Sequence, residues 1–235
     1  MRPVFVQTRN VGAFGRAMEA LEEAHPEAPK MGLVTGSAGR GKTKTAIWYA
    51  AHRGAVYVRA KYHWRGNFRN LLREIVWECG HKPAHRSDQL FRQAVDLLRD
   101  RGRAVLIDEA DYLDAGSLNT ARDLHDEAGV PVVLIGVSKV TEAVLREQAV
   151  WSRVAQTVPF EDLAREEIPG ILDQLCEVPL SEEAVELIAA EAKMMRDLIR
   201  YILHVEKVWR GRTQAAPGAV VRGFKARVLR GRSAA

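Results

Sequence analysis

Apolar residues along the chain fall into short unbroken runs that alternate with longer stretches of helical spacing. Asn10 to Glu23 places Val11, Phe14, Ala17, Met18 and Leu21 on one helical face, and Pro26 and Pro29 end that helix. Met31-Gly32-Leu33-Val34-Thr35 is a compact apolar run of the kind a strand shows when both its faces are buried. The pattern then predicts a helix over Thr43 to Ala51, a strand over Ala55 to Ala60, and helices over Phe68 to Cys79 and Asp88 to Arg99. Val105 to Asp108 reads as the next strand, and Ser117 to Ala128 as a helix closed by Gly129. Residues 131–136 read as a strand leading to Val137-Ser138-Lys139, and Val154 to Val158 as a last short strand. This alternation predicts an α/β fold, a parallel sheet covered by helices on both faces. Functional groups in such folds gather at the carboxyl ends of the strands.

From Asp162 onward the pattern becomes purely helical, with candidates over Ala164 to Cys176, Ser181 to Ala192 and Met194 to Trp209. Ser181, followed by Glu182 and Glu183, has the chemistry of a helix start: a hydroxyl cap and acids in the first turn. Pro217 and nearby glycines are expected to break regular structure before a basic tail. The chain therefore divides into an N-terminal helical segment (1–30), an α/β core (31–161), a small C-terminal helical domain (162–209) and a basic tail (210–235).

A length of 235 residues, 47% of them apolar, suits one core domain with a smaller companion. No run approaches the roughly 18 to 20 apolar residues that span a bilayer, and Met1 to Arg9 lacks the apolar region of a signal peptide. A cytoplasmic protein without membrane partners is expected. Cys79 and Cys176 are too few for a disulfide framework and lack metal-ligand spacing, so both are expected in the core. The histidines His63, His81 and His85 lack carboxylates at ligand spacing and are read as core or solvated side chains.

The net charge of +5 is unevenly distributed. Residues 207–235 hold eight basic side chains and no acid, while the remainder holds 27 basic and 30 acidic ones. Such a tail either contacts a polyanion or is simply solvated. A second basic region, residues 52–103, carries twelve Lys or Arg against five acids. Within it, Lys61-Tyr62-His63-Trp64-Arg65-Gly66-Asn67-Phe68-Arg69 mixes cations, aromatics and a glycine after the second strand. Lys61, Arg65 and Arg69 are candidate contacts to the phosphates of DNA, which would involve no base reading.

The sharpest chemistry lies at Gly36-Ser37-Ala38-Gly39-Arg40-Gly41-Lys42-Thr43, which fits the phosphate-cradling pattern G-x-x-x-x-G-K-[ST], with Lys44 following. It sits between a predicted strand and a predicted helix, the context the motif requires. Glycines let the backbone N–H groups turn toward phosphate oxygens, and the helix N-terminus adds partial positive charge. Lys42 is placed for the β- and γ-phosphates of ATP, and Thr43 for Mg²⁺. The strand ending in Asp108-Glu109 supplies a second Mg²⁺ group, Asp108, acting through water, and a carboxylate, Glu109, to polarise the attacking water. Asp108-Glu109-Ala110-Asp111 also spells a helicase signature, but such helicases need two consecutive nucleotidase domains and this length holds one.

Together, the loop, the Asp108-Glu109 strand end, a later strand ending in a polar residue and a C-terminal helical region resemble the AAA+ ATPases over about residues 5–209. Within that class the chain looks most like the transposition ATPases, the phage Mu B protein and its IstB and TniB relatives. Gly32 to Gly36, Leu106 to Leu113 and Pro131 to Gly136 carry the likeness. The resemblance implies an AAA+ nucleotide-binding core (31–161) and a helical lid (162–209). It makes Ser138, with Lys139 as the competing register, the sensor of the γ-phosphate. Trp151-Ser152-Arg153 resembles the segment that gives an arginine finger to a neighbouring subunit, with Arg153 ahead of Arg146. Arg196, in Lys193-Met194-Met195-Arg196, occupies the lid position that reads the nucleotide, although Lys193 stands where the family has glycine.

The same resemblance implies ATP and Mg²⁺ as ligands, and double-stranded DNA, a transposase and copies of the chain itself as partners. The copies would form an ATP-dependent ring or helical filament in the cytoplasm of a bacterial host, associated with the nucleoid. Only about thirty residues precede the core, too few for the helix-turn-helix region of the phage Mu B protein, so DNA contact is expected from residues 61–69, the tail or both. A helicase loader or replication initiator of the same fold is the first rival reading. A nucleotide-gated adaptor that does not bind DNA is the second.

Overall fold

The computed structural model describes residues 1–224, which divide into two compact units. The first to consider comprises residues 10–38 and 42–160. Its sheet has five strands, β1 (Met31–Thr35), β2 (Val56–Arg59), β3 (Val105–Asp108), β4 (Val132–Ile135) and β5 (Val154–Pro159), in the order β2-β3-β4-β1-β5. Every pairing is parallel. The helices are α1 (Arg9–Glu22), α2 (Lys42–Arg53), α3 (Arg69–Glu78), α4 (Ser87–Arg101), α5 (Ala115–Ala128), α6 (Ser138–Arg146) and α7 (Gln148–Trp151).

The unbroken apolar strands have a direct consequence. Successive side chains of a strand point to opposite faces, so each strand feeds two cores. Leu33, Val58, Ile107 and Leu134 enter a cluster with Leu71, Leu72 and Ile75 of α3 and with Leu90, Leu98 and Leu124 of α4 and α5. Val34, Leu106, Val133 and Ile135 enter a second cluster with Phe14, Met18 and Leu21 of α1 and with Ala46 and Tyr49 of α2. The sheet is thus covered on both faces, as the periodicity predicts. Both α4 and α5 stop at a glycine in the left-handed region, Gly102 and Gly129.

The pattern does not reveal α6 and α7. Val140, Val144 and Val150 are their buried positions, but Ser138-Lys139 directly after an apolar strand reads as a strand end. Short helical turns at Tyr62–Trp64 and Ala110–Tyr112 are likewise new.

The other unit contains, among the described residues, 1–9, 39–41 and 161–224. Here α8 (Ile168–Leu175), α9 (Glu182–Glu191) and α10 (Met195–Trp209) close around Val6, Ile171, Leu172, Ile188, Leu198, Ile202 and Val205. Ser181 caps α9 as expected, its hydroxyl accepting from Ala184 N at 3.2 Å. Two expectations are corrected. The helix predicted over Ala164 to Cys176 starts only at Ile168, after a separate turn at Arg165–Glu167. Pro169, which has no N–H to give, is accommodated in the first turn and not in a helix interior. Beyond Pro217, regular structure resumes: residues 218–224 are helical. Val221 is buried there, and the Phe224 ring lies 4.9 Å from that of Tyr201. Of the basic tail, Lys225, Arg227, Arg230 and Arg232 lie outside the described residues. Cys79 and Cys176 are buried as expected, and burial raises both thiol pKa values. Among the described residues no helix is long and apolar enough to cross a membrane.

Asp114 illustrates how the loops of the first unit are fixed. It caps α5, accepting from Ser117 N at 2.8 Å, and its other oxygen accepts from Gly66 N at 2.6 Å. Burial opposes its ionisation, but these N–H donors more than offset burial and hold the carboxyl below the usual aspartate range. Its stabilisation is therefore complete above the unfolded value of about 3.9 and is lost as pH falls through the lower folded value. Asp114→Ala should lower stability by about 1 kcal/mol at neutral pH. The difference from the native chain should shrink in strong acid, as urea midpoints at the two pH values will show.

Candidate functional site

The loop after β1 begins where the chain has no room for a side chain. Gly36 has φ of 143°, and a Cβ there would stand 2.5 Å from the carbonyl oxygen of Phe160. Gly39 and Gly41 also have positive φ, 95° and 100°. The backbone so wound leads into α2, whose first residue is Lys42. Lys42 Nζ donates to the carbonyls of Gly36 at 2.5 Å and Ser37 at 3.1 Å, so the ammonium sits within the loop. Ser37, Ala38 and Lys44 are exposed, and Thr43 is half-buried at the helix start. An ammonium, glycine-permitted backbone turns and a helix N-terminus fit a polyphosphate.

Gly39–Gly41 belong to the same unit as α10. There Arg196 N donates to Gly39 O at 3.0 Å, and the Arg196 Cβ and Nε lie 3.0 and 3.1 Å from where a Gly39 side chain would begin. Arg40 pairs with Asp162 at 2.8 Å.

The carboxylates stand at the end of β3. Asp108 is buried; its Oδ2 accepts from Tyr57 Oη at 2.9 Å and its Oδ1 from Glu109 N at 2.9 Å. Glu109 has φ of 54°, the single positive-φ residue other than glycine among those described. Its Oε1 accepts from Arg59 Nη2 at 3.1 Å. Tyr57 and Arg59 come from β2, where two-residue spacing puts them on one face and the parallel register sets Arg59 opposite Asp108. Sequence reasoning did not single out either residue. The alternation Val56-Tyr57-Val58-Arg59 beside the strand ending in Asp108 was the available signal. Burial, then the neighbouring Asp108, raises the Tyr57 phenol above its ordinary value, so it stays a neutral donor.

Hard oxygen ligands from Thr43 and Asp108, completed by phosphates, suit Mg²⁺, which takes few protein carboxylates. Among the described residues no group of three or more His, Cys, Asp or Glu could hold a metal ion.

The sheet order brings these pieces together. β4 lies between β3 and β1, so Ser138 and Lys139, the exposed first residues of α6, emerge between the carboxylates and the loop. Arg153 does not join them. Its carbonyl accepts from Met31 N, at the opposite end of β1, about 15 Å from the loop by strand rise. Its guanidinium pairs with Asp126, Nε to Oδ1 at 2.9 Å and Nη2 to Oδ2 at 3.2 Å. Arg146 is exposed in the last turn of α6. The basic segment near β2 forms a third group. Lys61 pairs with Glu74 at 3.3 Å, Arg65 lies over the exposed Tyr62 ring, and Arg69 donates to His85 O. Trp64 is buried and anchors the turn.

A parallel sheet with this loop at one strand end and paired acids at another defines a P-loop nucleotidase. Residues 25–144 match the AAA domain family, and the chain belongs to it. The Mu-like prophage FluMu DNA transposition protein B of Haemophilus influenzae is 26% identical over 193 residues, 79% of this chain. The match spans 66% of that protein, just under two thirds of its length. Among solved structures, the Aeropyrum pernix ORC2 protein, in ADPNP and ADP complexes, superimposes with a TM-score of 0.71 at 20% identity, covering 97% of this chain and 70% of that one. The Aeropyrum pernix ORC1 protein in complex with DNA gives 0.64 at 17% identity, covering 95% and 66%. These likenesses establish an α/β AAA+ fold, whose class chemistry is nucleotide binding and hydrolysis.

Removing the Tyr57 hydroxyl leaves a buried carboxylate oxygen short of a donor. Tyr57→Phe should cost about 1–3 kcal/mol of stability and weaken binding of a fluorescent ATP analogue in the presence of Mg²⁺ more than in EDTA. Equal weakening in both would mean that Tyr57 does not act through Asp108.

Proposed function

We propose that this protein is an ATP-dependent, sequence-tolerant double-stranded-DNA-binding ATPase that assembles on target DNA and recruits a transposase. The observation that carries this reading is the coincidence of a complete loop-and-carboxylate site with similarity over 79% of the chain to a DNA transposition protein. Lys42 and the loop amides of residues 36–44 hold the β- and γ-phosphates of ATP. Thr43 and Asp108 would hold Mg²⁺, which when bound neutralises charge on the phosphates. Glu109 orients the attacking water, Ser138 contacts the γ-phosphate and Arg196 reads the nucleotide.

The position of Arg153, at the far end of β1, favours its use on a neighbouring copy's nucleotide. Hydrolysis would then require a ring or filament, with ATP stabilising the assembly and its loss releasing subunits. In the segment at 61–69, the buried Trp64 supports a turn that leaves Tyr62 and Arg65 outward. This favours phosphate contact by Lys61, Arg65 and Arg69. Arg65→Ala should reduce the salt slope of duplex binding by about 0.9 if it neutralises one phosphate.

A helicase loader or initiator is the second reading, favoured by the fold likeness to the ORC proteins. Electron microscopy with duplex or single-stranded DNA, in ATP or ADP, separates the two. Helical filaments or stacked rings on duplex DNA, formed only with the triphosphate, support the proposal. Indifference to duplex with binding to single strands supports the loader. Lys42→Ala should abolish nucleotide-dependent assembly. Glu109→Gln should bind ATP, hydrolyse it poorly and leave long-lived DNA complexes.

Neither Glu109→Gln nor Arg153→Ala alone should turn over efficiently. Mixed together they should regain hydrolysis, because the first supplies the arginine and the second an intact carboxylate. A mixture no faster than its parts would remove Arg153 from the neighbour's site.

A further inference from the structure

Asp111, two residues beyond Glu109, is tied to a different part of the sheet. Its Oδ2 accepts from Val137 N at 2.8 Å. Val137 is the cap residue of α6, in extended conformation, and Ser138 is that helix's first residue. No side chain of Val137 closes this N-terminus; the carboxylate of Asp111 does so from another segment, and a negative charge there is favoured by the helix dipole. The chain also makes room for it. A Cβ at Gly136 would stand 2.4 Å from Asp111 Oδ2 and 3.0 Å from its carboxyl carbon. Gly136 has no positive φ to explain it, so its requirement is steric, set first by Asp111 and also by Val140 Cγ1 at 3.0 Å.

The other oxygen, Oδ1, is buried and is the one buried side-chain N or O atom without a hydrogen-bond partner among the described residues. Leaving such an atom unpaired opposes folding, so stability alone does not account for a carboxylate here. What the contact does is geometric. The turn Ala110–Tyr112 follows directly from Glu109, whose backbone is itself held in the left-handed region. α6 follows directly from β4, the strand between β3 and β1. A single carboxylate therefore joins the segment bearing Glu109 to the segment bearing Ser138.

We propose that Asp111 is a positioning residue that sets Ser138 against Glu109 by clamping the start of α6 to the turn after β3. The inference rests on the reading of Glu109 and Ser138 as hydrolytic groups. Asp111 acts through the Val137 amide.

The test compares Asp111→Ala, Asp111→Asn, Gly136→Ala, Ser138→Ala and the double variant Asp111→Ala/Ser138→Ala in steady-state ATP hydrolysis and nucleotide affinity, with thermal melts as a check on folding. Asp111→Ala should lower kcat by roughly ten- to a hundredfold, the scale of a misplaced catalytic group, with nucleotide affinity unchanged. Asp111→Asn keeps a carbonyl acceptor for Val137 N and should recover most of the rate. Gly136→Ala, whose added Cβ crowds Asp111 Oδ2 without altering Asp111 itself, should reproduce the loss even if Asp111→Ala does not fold. The double variant should be no slower than the slower single one, since both remove the same function. Multiplying losses, or a normal rate in Asp111→Ala and Gly136→Ala beside an impaired Ser138→Ala, would overturn the role of Asp111 and leave that of Ser138 standing. A normal rate in Ser138→Ala would instead remove Ser138 from the hydrolytic site and overturn the inference with it.

Discussion

The nucleotide loop depends on the way β5 grips the end of β1. Phe160 N donates to Thr35 O at 2.7 Å, and the Phe160 carbonyl then occupies the space in which a side chain at residue 36 would begin. The exit from β1 is open only to glycine, in a backbone region that other residues rarely enter. From that fixed origin the loop has one way to turn, and its end becomes the first turn of α2. Lys42 reaches back to the carbonyls of residues 36 and 37 because the loop between them is so tightly wound. Motif and fold are therefore one constraint: the glycines of the phosphate-loop motif also let two neighbouring strands end side by side.

The same sheet separates the site's charges. β3, β4 and β1 present Asp108, Glu109, Ser138 and the loop along one edge. Arg153 stands at the other edge, held by Asp126. Parallel strands make this separation unavoidable, since all carboxyl ends point one way and the segment entering β5 must lie at the amino end. A single copy presents the glycine-rich loop and the carboxylates without that guanidinium.

Much of this was legible in the sequence because the central strands β1, β3 and β4 are nearly unbroken apolar runs. Met31 to Thr35 and Val105 to Asp108 announce a sheet buried on both faces, and the loop and acid pair follow at their ends. Strand order, the partners of Asp108 and the placement of α6 were not legible. Tyr57 and Arg59 gain their roles from the register between β2 and β3, a long-range fact that no local pattern encodes. Asp111 reads as part of an acidic cluster until Gly136, 25 positions later in the chain, is found to have lost its side-chain space to it. The helix at 218–224 was hidden because Pro217 and Gly218 signal a break, whereas burial of Val221 and the contact of Phe224 with Tyr201 override that signal. Local propensity yields wherever tertiary packing offers more.

Glu109 shows how chemistry and backbone can ask for different residues at one position. Its left-handed conformation costs a residue with a side chain roughly 1–2 kcal/mol relative to the ordinary region, and glycine would remove that cost. The role proposed for Glu109 requires an acid, so under that reading the position is closed to the residue that would fold best. The local bond from Glu109 N to Asp108 and the pairing with Arg59 offset part of the strain. A drift toward stability at this site would therefore run against the proposed activity. Under the proposed role of Glu109, selection for a tougher fold alone would turn the protein into one able to grip a nucleotide and unable to let it go.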